Sequence, residues 1–475
     1  MINLNYIKNQ KINEIELVRI LFYTFPLWFI LGNLAVSLHT LIFVVISLFV
    51  IKKKELKFRF NNPCWLLVAF FLYFFLSTTV QFLNPGILND KLSHLSLESN
   101  PIFKSLLLGR FIILIIVIDV LFFNKILELK KLLFFSLVCT TFVSFDVIIQ
   151  YITGYDIFGF ESFYTWNSGP FGEEKIASTY LKNFSFLSFF YIFTLIEKKR
   201  LKSLIPILIV TLHIIGIFLA GNRMPLILFI FGFILITLLA KNFRLIMTLS
   251  LLISLPIFFS IIKYDSNYNY AYKNFFSEIN INLVLKKNKE NNDKKENIEE
   301  KIVEDEKIQD IPKSIVLLRH SGYNRVFRTS LMMWKEQPLF GFGLKSLRIK
   351  CWDMLEKDNI KRKKTLKPQY LACANHSHNY YLEFLSEAGI IGTGLLVAFF
   401  IVMLKDSLLY IRKHRQKINP QINLLLPFII VFFLEVWPLK SSGSFFTTWG
   451  ATFFWFNVAI LIAFTKEKYS NLTNS

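Results

Sequence analysis

The stretch LIPILIVTLHIIGIFLAGNRMPLILFIFGFILITLLA, residues 204–240, decides what kind of fold this chain can adopt. Arg223 is its one charged residue, and it falls in the short break AGNRM between two apolar runs. A bilayer core of about 30 Å takes roughly 20 helical residues. Each run comes close to that length, so the pair reads as two membrane helices joined by a tight turn at Arg223.

Working outward, the same pattern recurs along the chain. We expect twelve spans, at 16–33, 34–51, 63–83, 101–123, 132–153, 176–196, 204–220, 224–240, 245–263, 379–404, 422–439 and 444–465. Composition agrees: the 475 residues are 54% hydrophobic with 53 phenylalanines, and mean hydropathy is +0.47. A soluble globule holds apolar and charged residues nearer balance. The first apolar run passes directly into a second with no small-residue cleavage pattern, so no cleavable signal peptide is expected.

A net charge of +21 could suggest a nucleic-acid partner, but its placement argues against one. Lys and Arg cluster in alternate short connections: KKKELKFR from Lys52, NKILELKK from Asn124, EKKRLK from Glu197, KNFR from Lys241 and RKHRQK from Arg412. The connections between them carry about one basic residue each, namely Lys91, Lys175, Arg223 and Lys440. By the positive-inside rule the clusters are cytoplasmic. Both termini are then cytoplasmic as well. We expect a multi-pass protein with membrane lipids, and no nucleic acid, around it.

That orientation divides the chain into a membrane domain at 1–263, a large external loop at 264–378 and a second membrane part at 379–475. Within the loop, 286–313 is mostly Lys, Glu and Asn. So few apolar side chains cannot offset the entropy of ordering, and we read it as a low-complexity insertion without chemistry. From Ser314 the loop regains aromatics, helical spacing and a PLFGFG turn, so that part should fold. Cys351 and Cys373 both lie in it. If that face is oxidising they can form a disulfide. The competing zinc set, Cys351 with CANHSH, has a compressed H-x-H spacing unlike usual structural sites. We expect neither metal nor other cofactor.

The loop ends in HSHNYYLEFLSEAGIIGTG, from His376 to Gly394. Counted as a helix, His378, Leu382, Leu385, Gly389 and Gly392 share one face. The glycines would admit a neighbouring helix, with His378 at the external end. Its imidazole could take a proton from a hydroxyl, or it is an ordinary interfacial histidine. Arg223, Arg325, Arg328, Lys345 and Arg348 place cations on the same side, where a guanidinium matches phosphate oxygens bidentately.

Here the residues resemble a family. His378 and Asn379 followed by Gly389 and Gly392 look like the H[NSQ]-x9-G-x-x-G signature of the O-antigen ligase and polymerase superfamily. The GNRM turn and NRVFRTSLMMWKEQPLFGFG resemble that family's arginine turn and loop motif. The resemblance implies an all-α, GT-C-like integral membrane protein of about twelve helices, with a large periplasmic loop before the tenth. It also implies a place in the bacterial inner membrane, with the active site facing the periplasm. The activity implied is glycosyl transfer, inverting and metal-independent, from a glycan on undecaprenyl diphosphate to a lipid A core hydroxyl. A polymerase would use another lipid-linked repeat as acceptor.

Carried over residue by residue, His378 is the base, and Arg223 and Arg325 hold the departing diphosphate. Arg328, Arg348, His376 and Asn379 join as substrate-binding residues. The insertion blurs whether Arg325, Arg328 or Arg319 fills the loop role, and the part played by His376 stays open. A lipid-linked glycan or sugar transporter is the alternative without chemistry. Midway in their spans, Arg110 and Asp146 suggest a structural ion pair or a donor-site role. The loop 159–178, with Glu161, Glu173, Glu174 and several aromatics, is either a sugar groove or a packed cap.

Overall fold

In a computed structural model of the chain the described residues are 13–57, 62–83, 100–197, 204–240, 243–273, 323–363, 371–414 and 420–464. The insertion expected at 286–313, Lys91 and Arg319 lie outside them. Among the described residues the secondary structure is helical, with two isolated β-bridges near 155–166 and no strand.

Apolar helices occupy the places expected for the spans. Along the chain they are α1 (Glu14–Tyr23), α2 (Phe25–Ile30), α3 (Asn33–Lys53), α4 (Asn62–Leu83), α5 (Pro101–Leu107), α6 (Arg110–Phe123) and α7 (Leu129–Thr153). Next come α8 (Ala177–Glu197), α9 (Leu204–Leu219), α10 (Arg223–Leu239) and α11 (Arg244–Tyr264). The loop contributes α12 (Tyr323–Glu336) and α13 (Leu347–Lys363). Three helices close the chain: α14 (Tyr380–His414), α15 (Pro420–Glu435) and α16 (Thr448–Phe464). Among the described residues six segments are long and apolar enough to cross a bilayer, and four shorter apolar helices accompany them. The chain is an all-α membrane protein.

At the centre, α16 is buried from Trp449 to Ala463 apart from Gly450. It packs on α6, α3 and α15, while α7 packs on α8 and α9. Phenylalanines fill the middle: Phe25 stacks on Phe456 at 4.0 Å, and the Trp449 indole donates to the Phe29 carbonyl at 3.0 Å.

The first expected span, 16–33, is not one helix. Its ladder stops at Thr24, and α2 restarts with Pro26 in its first turn. A proline has no N–H and clashes with the carbonyl four residues back, and here the ladder is interrupted just before it. The expected Arg110–Asp146 ion pair does not form either. Asp146 accepts from the Ile157 N–H at 2.8 Å, and the Arg110 guanidinium lies 4.9 Å from the Phe111 ring. Matching depth in neighbouring spans did not fix which faces meet.

In the loop, α12 and α13 share a small core of Val326, Met333, Phe342, Leu347, Cys351, Met354 and Leu371. A disulfide joins Cys351 to Cys373, with 5.4 Å between the Cα atoms.

The structure corrects the reading of α14 as one continuous face. Gly389 breaks the helix with φ 64° and ψ −171°, and what approaches is the turn 338–343, not a second helix. Phe342 and Gly343 N–H groups donate to the Ser386 and Glu387 carbonyls at 3.0 and 2.8 Å. In return Ile390 and Ile391 donate to Pro338 and Leu339 at 2.8 and 3.3 Å. A Cβ on Gly389 would fall 2.3 Å from the Leu339 carbonyl oxygen, and one on Gly341 2.5 Å from the Gly389 nitrogen. From α4, the Tyr73 hydroxyl donates to the Ala388 carbonyl at 2.9 Å and Ser77 to Phe340 at 2.9 Å. Gly392 does admit a neighbour, because a Cβ there would lie 2.8 Å from the Tyr73 ring.

Candidate active site

The two histidines sit where the loop enters α14, and three anchors fix them. Between them Ser377 is fully buried and takes a hydrogen bond from the Ser330 hydroxyl of α12 at 2.9 Å. Behind them Asn379 caps α14: its Oδ1 accepts from the Tyr381 and Leu382 N–H groups at 3.0 and 3.2 Å. Asparagine is a strong N-cap because its side chain serves donors that lack an intrahelical partner. The Asn379 amide nitrogen donates to the Pro438 and Lys440 carbonyls at 2.8 and 3.1 Å. Expected as a substrate contact, Asn379 spends its side chain as a strap between α14 and the segment 436–447. The Ser442 N–H closes the frame by donating to the His378 carbonyl at 2.9 Å.

Held this way, His378 adopts φ 53°, a left-handed conformation uncommon outside glycine. Its ring is half-buried between two others, with centroids 4.1 Å from His376 and 4.4 Å from Tyr323. Burial, and then the neighbouring His376, push the His378 imidazole down to about 4. Burial and the Arg348 cation also lower His376, an effect the Ser442 backbone partly opposes. At neutral pH both rings are therefore uncharged, so each has a nitrogen able to accept a proton.

Arg348, exposed on α13, reaches the Asn375 carbonyl at 3.5 Å and acts on His376. Arg325 is exposed and Arg328 half-buried on α12, whose first residue, Tyr323, touches His378. Arg223 is the first residue of α10, at the turn that the 154–176 segment meets. Thr165 packs its carbonyl over Gly221, the Asn222 amide donates to the Lys175 carbonyl at 2.6 Å, and the Arg223 charge acts on Tyr272. The charge acting on His378 is that of His376.

The segment 154–176 is a cap with a displayed edge. Asn167 is buried and donates to the Leu219 carbonyl at 2.7 Å, while Asp156 takes the Phe158 N–H at 3.0 Å. On its outside Phe163 and Trp166 lie parallel, 5.9 Å apart, with Lys175 3.4 Å from the indole. Glu161, Glu173 and Glu174 are exposed.

Sequence reasoning missed a buried triad below the histidines. Glu435 bridges Lys182 and Lys440, the latter at 2.7 Å, and all three side chains are nearly inaccessible. Lys440 also lies 4.2 Å from the Tyr380 ring. Two ammonium groups on one carboxylate leave a net positive charge in the frame that carries Asn379 and Ser442. The signal was present: Lys182 is a charge within an apolar span, which by default marks function or pairing. Lys104 on α5 was missed likewise. Burial, then the charges of Lys104 and Arg348, pull Lys345 down to about 8. Glu383 accepts from the Ser444 hydroxyl and the Phe445 N–H, tying α14 to the same segment.

Among the described residues no three His, Cys, Asp or Glu side chains cluster as a metal site, and Cys373 is committed to its disulfide. The arrangement offers a proton acceptor, His378, in ring contact with His376, on which the Arg348 cation acts.

Comparison with known families extends this. The sequence model of a family described as O-antigen ligase matches residues 207–397. That segment runs from α9 through the Arg223 turn and the loop helices to the glycines of α14. No curated protein matches the chain. Over that segment, 191 of the 475 residues, the chain is similar to the O-antigen ligase family.

Proposed function

We propose that this protein is an O-antigen ligase that moves a glycan from undecaprenyl diphosphate to a hydroxyl of a lipid A core acceptor at the periplasmic face of the inner membrane. The observation that carries the reading is His378, neutral, half-buried and held in a left-handed conformation at the mouth of α14 beside His376.

In this reading His378 takes the proton of the acceptor hydroxyl. The freed oxygen forms a bond to the anomeric carbon as the bond from that carbon to the diphosphate oxygen breaks, and the electron pair leaves with the diphosphate. One displacement inverts the anomeric centre. Arg223, Arg325, Arg328 and Arg348 are assigned to the diphosphate, where cations fixed in advance stabilise developing charge without reorganisation. His376 supports His378 through ring contact. Asn379 holds the helix start beneath the reacting groups.

The test is to incubate purified protein with lipid-linked glycan and either a lipid A core acceptor or a second lipid-linked repeat. Growth of the glycan-bearing core supports the ligase. Lengthening of the lipid-linked glycan would make it a polymerase, and no product with either acceptor would favour transport without chemistry.

A further inference from the structure

The cap 154–176 displays an aromatic surface built by its backbone. Residues 163–166, FYTW, form a two-residue hairpin in which the Phe163 N–H donates to the Trp166 carbonyl at 3.1 Å and the Trp166 N–H to the Phe163 carbonyl at 2.9 Å. Residues paired in this way send their side chains to one face of the ribbon, and the two rings lie parallel with centroids 5.9 Å apart. We propose that Phe163, Trp166 and Lys175 form a platform that binds an uncharged sugar ring of a glycan. The inference rests on the transferase reading only in taking a glycan as the hydroxyl-rich partner.

The distances fix how the platform is layered. The Lys175 ammonium lies 3.4 Å from the indole centroid and 5.0 Å from the Phe163 centroid. Were the cation and the phenyl ring on opposite faces of the indole, their separation would exceed the 5.9 Å between the rings. They therefore sit side by side on one indole face, and both are exposed, Phe163 by 65%. With the indole behind it, Phe163 presents its outer face. An aromatic face is negative and attracts the weakly positive C–H groups of a sugar ring, while the ammonium beside it can donate to a hydroxyl oxygen. Among the described residues Lys175 is in no ion pair with a carboxylate.

The hairpin is held in a conformation it would not choose alone. Tyr164 takes φ 59° where a two-residue turn of this kind ordinarily carries glycine, and such a conformation persists only where the surroundings impose it. Here the Ser162 hydroxyl donates to Asn167 Oδ1 at 2.9 Å across the base of the hairpin. The buried Asn167 amide donates to the Leu219 carbonyl at 2.7 Å, and the Tyr268 hydroxyl lies 3.2 Å from the Thr165 carbonyl. Rings fixed in advance lose little freedom when a ligand stacks on them.

Charge selects the occupant. Glu161, two residues before Phe163, and Glu173 and Glu174, just before Lys175, are exposed. Three carboxylates around one ammonium repel a lipid phosphate, yet they accept from sugar hydroxyls. A surface meant for anionic headgroups would carry an excess of Lys and Arg, which this chain of net charge +21 has elsewhere.

The experiment measures binding of radiolabelled maltohexaose, cellohexaose and chitotetraose to the full-length protein in nanodiscs, without donor or acceptor lipid. At least one should bind. Phe163→Ala should weaken that binding about fivefold and should melt with the wild type, because its ring is mostly exposed. Phe163→Trp should retain binding. Phe158→Ala, in the same cap but with its ring toward Phe142 of α7, should bind like the wild type. A nitroxide attached through Tyr164→Cys should be reached by a water-soluble nickel chelate more readily than by oxygen.

Equal binding by the wild type and Phe163→Ala, or binding of none of these oligosaccharides, would overturn the platform. Preferential access of oxygen would place the edge in the bilayer, and dipolar coupling between labels would assign it to contact between two copies; either result also overturns it. A protein that binds sugar through Phe163 yet transfers no glycan would contradict the transferase reading and leave the platform standing, and normal transfer without oligosaccharide binding would do the reverse.

Discussion

An unmodified imidazole titrates near 6.5, so a histidine base at an ordinary surface would lose activity below about pH 6. The structure moves that limb. Burial between Tyr323 and His376 pushes His378 down to about 4. At pH 5.5 an ordinary imidazole is neutral in roughly one molecule in ten, whereas His378 should be neutral in nearly all. Relative to its plateau, transfer at pH 5.5 should thus be close to tenfold higher than an ordinary histidine would allow. The sign follows from the depressed value: the working form is present above about 4 and is lost only as pH falls through it.

The assay is initial-rate transfer across pH 4 to 8, separated into kcat/KM and kcat. The first reports the free enzyme and the second the substrate complex. A bound diphosphate brings negative charge beside the ring, which favours imidazolium. The acid limb of kcat should therefore lie at higher pH than that of kcat/KM. An acid limb of kcat/KM near 6.5 would refute the effect of burial, and two limbs at the same pH would refute the placement of diphosphate beside His378.

Other substitutions probe separate parts of the same argument. His378→Ala should still bind lipid-linked donor in a pull-down while transfer drops by about 10² to 10⁴; normal turnover would dismiss the base. Arg223→Ala should weaken donor binding as well as turnover, and Arg223→Lys should restore it only in part because an ammonium lacks the bidentate fork, which a titration with donor would show. Gly389→Ala puts a methyl against the Leu339 carbonyl and forces an L residue to a left-handed φ, at about 1–2 kcal/mol for the conformation alone. Loosening of the four backbone bonds there adds about 0.5–1.5 kcal/mol each, so the melting temperature should fall sharply. Glu435→Gln leaves two buried ammonium groups without their carboxylate and should cost about 3 to 5 kcal/mol of stability, read by thermal melting; an unchanged melt would mean the triad is solvated.

The apolar architecture was legible because hydropathy depends on residue type alone. A run such as 204–219 needs no partner to be recognised. What sequence could not show were features that depend on which faces meet. Lys182 and Glu435 are 253 positions apart, and nothing local joins them. Gly389 read as a small residue in a continuous helix because periodicity presumes an unbroken ladder, while the turn 338–343 supplies the bonds that make the break stable. His378 was visible as a titrating group at a border, but the value at which it titrates comes from its ring neighbours. Asn379 was visible too, and its place at the head of a helix accounts for its amide more directly than any ligand.

The joint between 338–343 and α14 is made of main-chain atoms, and this sets how substitutions there will be tolerated. Leu339, Phe340, Ile390 and Ile391 surround it with their side chains outward and exposed, contributing carbonyls and N–H groups that any residue except proline can offer in full. A mutational library over these four positions should accept most apolar replacements with the loop still docked. At Gly341 and Gly389, by contrast, there is no room for even one methyl group, so the two residues with no side chain are the ones that cannot change.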